Sequence, residues 1–227
     1  MDRVNNMVIQ FNNRAATLIE QKDNLTAASI LTKGLKCAQH IVVNNISNDP
    51  CMSNISLNEC MMSAHSDEMN QETSNRMYRR PIHIPPAWSL SESQESNIMI
   101  SAIIIFNLAL THHLEALETQ QICNTTVTST LRKSAKLYQL AFNMLQEVTV
   151  QSNNLIFAMA TVNNLGLVFE MLEDDDAAHE CFEQLLSTLM FLVDCGDGAA
   201  VSKFGNGVFF RTISHLISRA DVAAAAA

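Results

Sequence analysis

Few residues in this chain have types and spacings that could do chemistry. His112 and His113 stand beside Glu115, and His179, Glu180 and Cys181 form a second group with metal-ligating atoms. Adjacent residues on a helix point about 100° apart, so His112 and His113 cannot face one ion, and an H-E-x-x-H spacing is absent. They read as surface or groove histidines, and no metal is expected. The six cysteines (Cys37, Cys51, Cys60, Cys123, Cys181 and Cys195) include no C-x-x-C pair. They read as reduced thiols, and no flanking motif makes one a nucleophile. Walker, G-x-G-x-x-G and G-x-S-x-G signatures are missing, and the glycines at Gly196–Gly198 and Gly205–Gly207 read as turns. No catalytic residue and no cofactor is expected, and the chain reads as not an enzyme. The recurrent polar residue is asparagine. Asn13, Asn107 and Asn164 each precede a two-residue step ending in a small side chain (Arg14-Ala15, Leu108-Ala109, Leu165-Gly166), and Asn12 and Asn163 precede two of them. An Asn amide carries both a donor and an acceptor, so it can clamp the N–H and C=O of an extended peptide without reading its sequence. The alternative is that these asparagines simply face solvent.

The elements that must position them are helical. Apolar residues make up 48% of the 227, enough for a packed core, and all four prolines lie between Pro50 and Pro86. Steps of three and four define an amphipathic stretch over Val4–Ile19 and another from Leu25 to Val42, joined by the polar turn Lys22-Asp23-Asn24. Helical patterning resumes over Ile98–Leu117, Leu131–Val150, Leu155–Leu172, Ala177–Val193 and Val208–Arg219. The interval Glu118–Thr130 reads as a loop, and Glu173–Asp176 as an acidic cap on the helix that follows. The run Ile98–Leu110 is too short and too polar to span a bilayer. The net charge of −9 argues against nucleic acid and against anionic membranes. Met1-Asp2-Arg3-Val4 leads into an amphipathic pattern rather than a signal-like apolar core, so an intracellular location, cytoplasmic or nuclear, is expected.

Three helix pairs share a pattern. In the clearest, Leu165-Gly166 is followed by Phe169, then Ala178 twelve residues after Gly166, and Phe182 four later. The N-terminal pair keeps these spacings with Ala15, Leu18, Ala27 and Leu31. The middle pair offers Leu108-Ala109 and His112, then Ser134, Tyr138 and Ala141, with about 13 residues inserted. This pattern resembles the tetratricopeptide repeat. The whole chain also resembles a lineage-expanded group of diatom proteins that implies no activity, through Arg80-Pro81-Ile82, Ile105–Ala109, Leu137–Ala141, Asn163–Gly166 and Leu186–Met190. The repeat implies an all-α solenoid of three stacked antiparallel helix pairs plus a C-terminal capping helix. It also implies that the asparagines face a concave groove, beside the apolar residues Ile103, Phe106, Leu110 and Leu167. Groove Lys and Arg of the carboxylate-clamp kind are missing beside them, so acidic C-terminal tails are not the expected ligand.

Residues 1–46 read as an N-terminal pair that packs with 98–220 as one domain, and 47–97 as a flexible linker. Within that linker, residues 77–88 break the polar pattern with Tyr78, Arg80, Pro81, Ile82, Ile84 and Trp88. Proline disfavours helix before it, so the piece must be extended, and its apolar side chains are wasted in solvent. It is expected to dock in the chain's own groove as a lid, or else to project as a motif for another protein. The function expected is a protein–protein interaction scaffold that binds a protein or extended peptide, with a structural subunit of a larger assembly as the alternative. The sequence is silent on oligomeric state.

Overall fold

The three- and four-residue spacings become helices in the computed structural model, which describes residues 2–44, 76–90, 94–119, 124–147, 152–194 and 207–225. Among the described residues there are seven α-helices and no strand. They are α1 Asp2–Glu20, α2 Asn24–Asn44, α3 Gln94–Thr119, α4 Asn124–Gln146, α5 Ser152–Met171, α6 Asp175–Asp194 and α7 Val208–Ala225, with a short 3-10 helix at Pro86–Leu90. The class is all-α, as the periodicity and the placement of proline predict. Each of α1 to α6 packs on the next in the chain, and α7 rests on α5 and α6. One cluster of buried side chains draws on every helix and on the segment before α3.

Two turns have the same construction. Lys22 and Glu173 adopt the left-handed conformation, with φ of 64° and 60°. Asp23 N–H bonds to Leu18 C=O and Lys22 N–H to Ile19 C=O; Asp174 and Glu173 repeat this with Phe169 and Glu170. These are Schellman endings, which satisfy the last carbonyls of α1 and α5. The following Asp then caps the next helix: Asp23 Oδ1 accepts from Thr26 N–H, and Asp174 Oδ1 from Ala177 N–H. The acidic stretch 173–176 is thus a turn and a cap.

Small residues sit where helices approach closely. A Cβ on Gly166 would lie 2.6 Å from Cε1 of Phe182, so the ring of α6 occupies the space that the glycine leaves on α5. A Cβ on Gly34 would come 3.2 Å from Phe11 Cβ, between α2 and α1. Between α3 and α4 the buried Ser134 hydroxyl donates to Ala109 C=O at 2.9 Å.

The boundaries differ from the periodicity in places. The helix expected from Ile98 begins at Gln94, α7 continues past Arg219 to Ala225, and most of the loop expected over 118–130 is helix. Buried Val127 extends the apolar face of α4 backward from Leu131, and that packing outweighs the modest propensity of Thr and Asn. The segment expected to be extended to Trp88 turns into the 3-10 helix at Pro86, where Trp88 N–H bonds to Pro85 C=O. Residues 45–75, which hold the polar part of the expected linker from 47 on, lie outside the described residues, as do Cys51, Cys60, Cys123, Cys195 and the glycines 196, 198 and 205. By length and composition α3 could cross a membrane, but 83% of its most apolar window is buried inside the molecule. That is how a core helix behaves.

Candidate functional site

The five asparagines stand on alternate helices: Asn12 and Asn13 on α1, Asn107 on α3, Asn163 and Asn164 on α5. All but Asn13 are fully buried, and a buried amide without partners would cost several kcal/mol. Each finds them in the segment 76–84.

Three of the asparagines grip one residue apiece by both backbone groups. Asn164 Oδ1 accepts Tyr78 N–H at 2.8 Å while its Nδ2 donates to Tyr78 C=O at 2.8 Å. Asn107 does the same to Ile82, at 2.9 and 2.9 Å, and Asn13 to Ile84, at 2.7 and 2.7 Å. The other two reinforce: Asn12 Nδ2 donates to Ile82 C=O and Asn163 Nδ2 to Arg76 C=O. The amides are also joined sideways. Asn107 donates to Asn12 Oδ1, Asn12 to Asn13 Oδ1, and Asn163 to Asn164 Oδ1. Asn164 donates to the Tyr138 hydroxyl, and Thr212 on α7 donates to Asn163 Oδ1. These partners fix the amide orientations, because flipping Asn13, Asn107 or Asn164 would oppose donor to donor and acceptor to acceptor.

Side chains complete the docking. Tyr78, Ile82, Ile84 and Trp88 are buried, with Ile82 at 0% exposure. The Tyr78 ring lies between Phe106, tilted at 6.2 Å, and Phe209, stacked at 6.4 Å. Of the apolar residues expected in the groove, Phe106 meets the segment through this pair; Ile103, Leu110 and Leu167 are buried in the same core. Pro81 is buried and Arg80 half-buried, its charge felt by the Tyr78 hydroxyl. Burial pushes that hydroxyl well above its ordinary pKa, as it does that of Tyr138. A polar contact stands at each end: an ion pair between Arg76 Nη1 and Glu170 at 3.0 Å, and a hydrogen bond between His83 Nε2 and Glu20 Oε1 at 3.1 Å. The segment runs opposite to the order of these helices in the chain, from α5 across α3 to α1.

The histidines read as surface or groove residues are buried. Burial pushes His113 down to about 3, helped by the charge of Arg79, and its ring stands edge-on to Tyr138. His112 is lowered by burial and then by Lys133, against a partial rise from Glu115 at 3.3 Å. Nδ1 of His113 and Nε2 of His112 have no hydrogen-bond partner. No group of three His, Cys, Asp or Glu side chains among the described residues is placed to hold a metal ion. His179 is exposed beside Glu183, and Cys181 is half-buried with its thiol pushed up to about 12, so it is largely un-ionised at neutral pH.

Sequence reasoning missed Arg76, Tyr138, Phe209 and Thr212 as parts of the site. Tyr138 carried a signal, as the aromatic of the middle pair. Thr212 carried none, because a lone Thr on a short amphipathic helix is unremarkable. No family model matches the chain, and neither a curated protein nor a solved structure does.

Proposed function

We propose that this chain is a non-catalytic protein–protein interaction scaffold, a tetratricopeptide-like stack of three helix pairs closed by α7. Its concave face recognises extended polypeptide by backbone, and its own segment 76–88 occupies that face as a lid. The observation that carries this reading is the two-handed grip of Asn164, Asn107 and Asn13 on Tyr78, Ile82 and Ile84. A side-chain amide that takes N–H and C=O of the same residue reproduces what a neighbouring β-strand offers, and it is indifferent to the residue held. The matching turns at Lys22 and Glu173 support the repeat. The partner is a protein or peptide, in an intracellular setting, with neither nucleic acid nor membrane involved.

Magnitude decides how such a lid behaves. The segment is joined to α3 across residues 91–93 alone, and so short a tether keeps it at an effective concentration on the order of millimolar. An untethered peptide with equal contacts at micromolar level would therefore occupy about one groove in a thousand. The isolated protein is closed, and only a partner that adds contacts of its own opens it. A permanent subunit of a larger assembly is the second reading. It is favoured by exposed apolar side chains on the last helices: Met190, Phe191 and Val193 on α6, Phe210 and Ile217 on α7.

Crosslinking and affinity capture from cells, comparing the natural chain with Ile82→Ala, which loosens the lid and leaves every clamping asparagine in place, tests both. A scaffold with a lid gives partners that exchange and are captured more strongly by the variant. A single stoichiometric, salt-resistant partner, held equally by both proteins, would favour the subunit. Turnover of a small molecule would sink both readings.

A further inference from the structure

The C-terminal helix touches one end of the segment. Phe209 stacks on the Tyr78 ring at 6.4 Å with the planes 11° apart. Three residues on, the Thr212 hydroxyl donates to Asn163 Oδ1 at 2.8 Å and lies 3.4 Å from Arg76 C=O, the same carbonyl that Asn163 holds. Both side chains are fully buried. Elsewhere α7 rests only thinly on α5 and α6 compared with the other neighbouring helices. Among the described residues, the backbone of Ile82 and Ile84 is gripped by side chains of α1 and α3.

We propose that α7 is a latch: its seating and the docking of Arg76–Tyr78 are one coupled event, whereas Ile82–Ile84 are held independently of it. Each half needs the other. Without Tyr78, Phe209 loses its stacking partner; without α7, one face of Tyr78 and the acceptor of Asn163 lose theirs. Lifting α7 uncovers the Asn163–Asn164 clamp and the aromatic socket beside Phe106 while the rest of the segment stays bound. The coupling follows from these contacts and does not depend on the scaffold reading.

Residue-resolved hydrogen exchange on the full-length chain tests it through reciprocity, because a coupling between two sites must be felt at both. In Phe209→Ala/Thr212→Val the Tyr78 amide should exchange on the order of tenfold faster or more, with Ile82 and Ile84 unchanged. In Asn164→Ala the amides of 209–217 should also speed up, although Asn164 makes no hydrogen bond to α7. Thr212→Val alone, which is nearly isosteric, should act in the same direction if the double variant does not fold, and Thr212→Ser should restore protection. Amides of α7 indifferent to Asn164→Ala, or Ile82 and Ile84 loosening as much as Tyr78 when α7 is altered, would overturn the latch.

Discussion

A buried asparagine on a helix face has two donors and one acceptor to satisfy, and water cannot help. Asn107 meets all three demands with Ile82 N–H, Ile82 C=O and Asn12 Oδ1. Asn107→Ala removes the amide and strands groups on both sides, which should cost about 2–4 kcal/mol in denaturant unfolding. Asn107→Asp keeps the acceptor, but it aims a carboxylate at two carbonyl-type oxygens and buries a charge, so it should cost more than Ala at neutral pH. A milder effect of Asp would contradict the assigned amide orientation. His113 supplies a pH test. Its folded pKa is pushed down to about 3 from 6.5, so between those values the unfolded chain binds the extra proton. Its contribution to stability is therefore intact above 6.5 and is lost as pH falls toward 3, by up to about 1.4 kcal/mol per unit. His112 is shifted in the same direction. Replacing His113 by Leu should flatten the acid limb of a stability–pH curve relative to the natural chain, and parallel curves would refute the assignment. The asparagines were legible because they recur beside a small residue. Their partners were not, since nothing in the sequence says which carbonyl meets which amide.

Helices and their turns follow different rules, and both are testable. On α5, Gly166 leaves room for the Phe182 ring, and even one methyl there collides with it. Gly166→Ala should destabilise by about 1–3 kcal/mol and Gly166→Leu by more, with Phe182→Leu recovering part of the loss in the Ala background. Additive losses would mean that the ring is not what the methyl meets. At Glu173, a non-glycine residue holds the left-handed C′ position with φ of 60°. Glu173→Gly relieves the Cβ strain and should raise the denaturation midpoint, by roughly 0.5–1 kcal/mol in stability, whereas Asp174→Ala removes the cap of α6 and should lower it by about 1 kcal/mol. Periodicity located every described helix, because amphipathic spacing is a property of sequence alone. It misplaced the start of α3 and of α4, because their first turns are polar and become helical only by packing into the core. It could not foresee the 3-10 turn at Pro86–Leu90, which ends the extended part of the segment before α3.

At the scale of the whole molecule, the segment is less a linker than an inner layer. It crosses α5, α3 and α1 in turn and ties together helices that pack mainly on their neighbours in the chain. Its docking was legible from proline, which forbids helix, and from aromatic and branched side chains with no reason to face water. Its direction and register were not, because an asparagine clamp reads backbone and leaves no trace in the sequence it holds. The burial of Tyr78, Ile82, Ile84 and Trp88 makes the segment part of the core of the isolated protein, and any peptide that took its place would have to undo that core. The most direct measurement is amide hydrogen exchange of Tyr78, Ile82 and Ile84 in the isolated chain, whose N–H groups end on Asn164, Asn107 and Asn13. Protection comparable to that of the middle of α3 is the predicted result; exchange at random-coil rates would contradict the account.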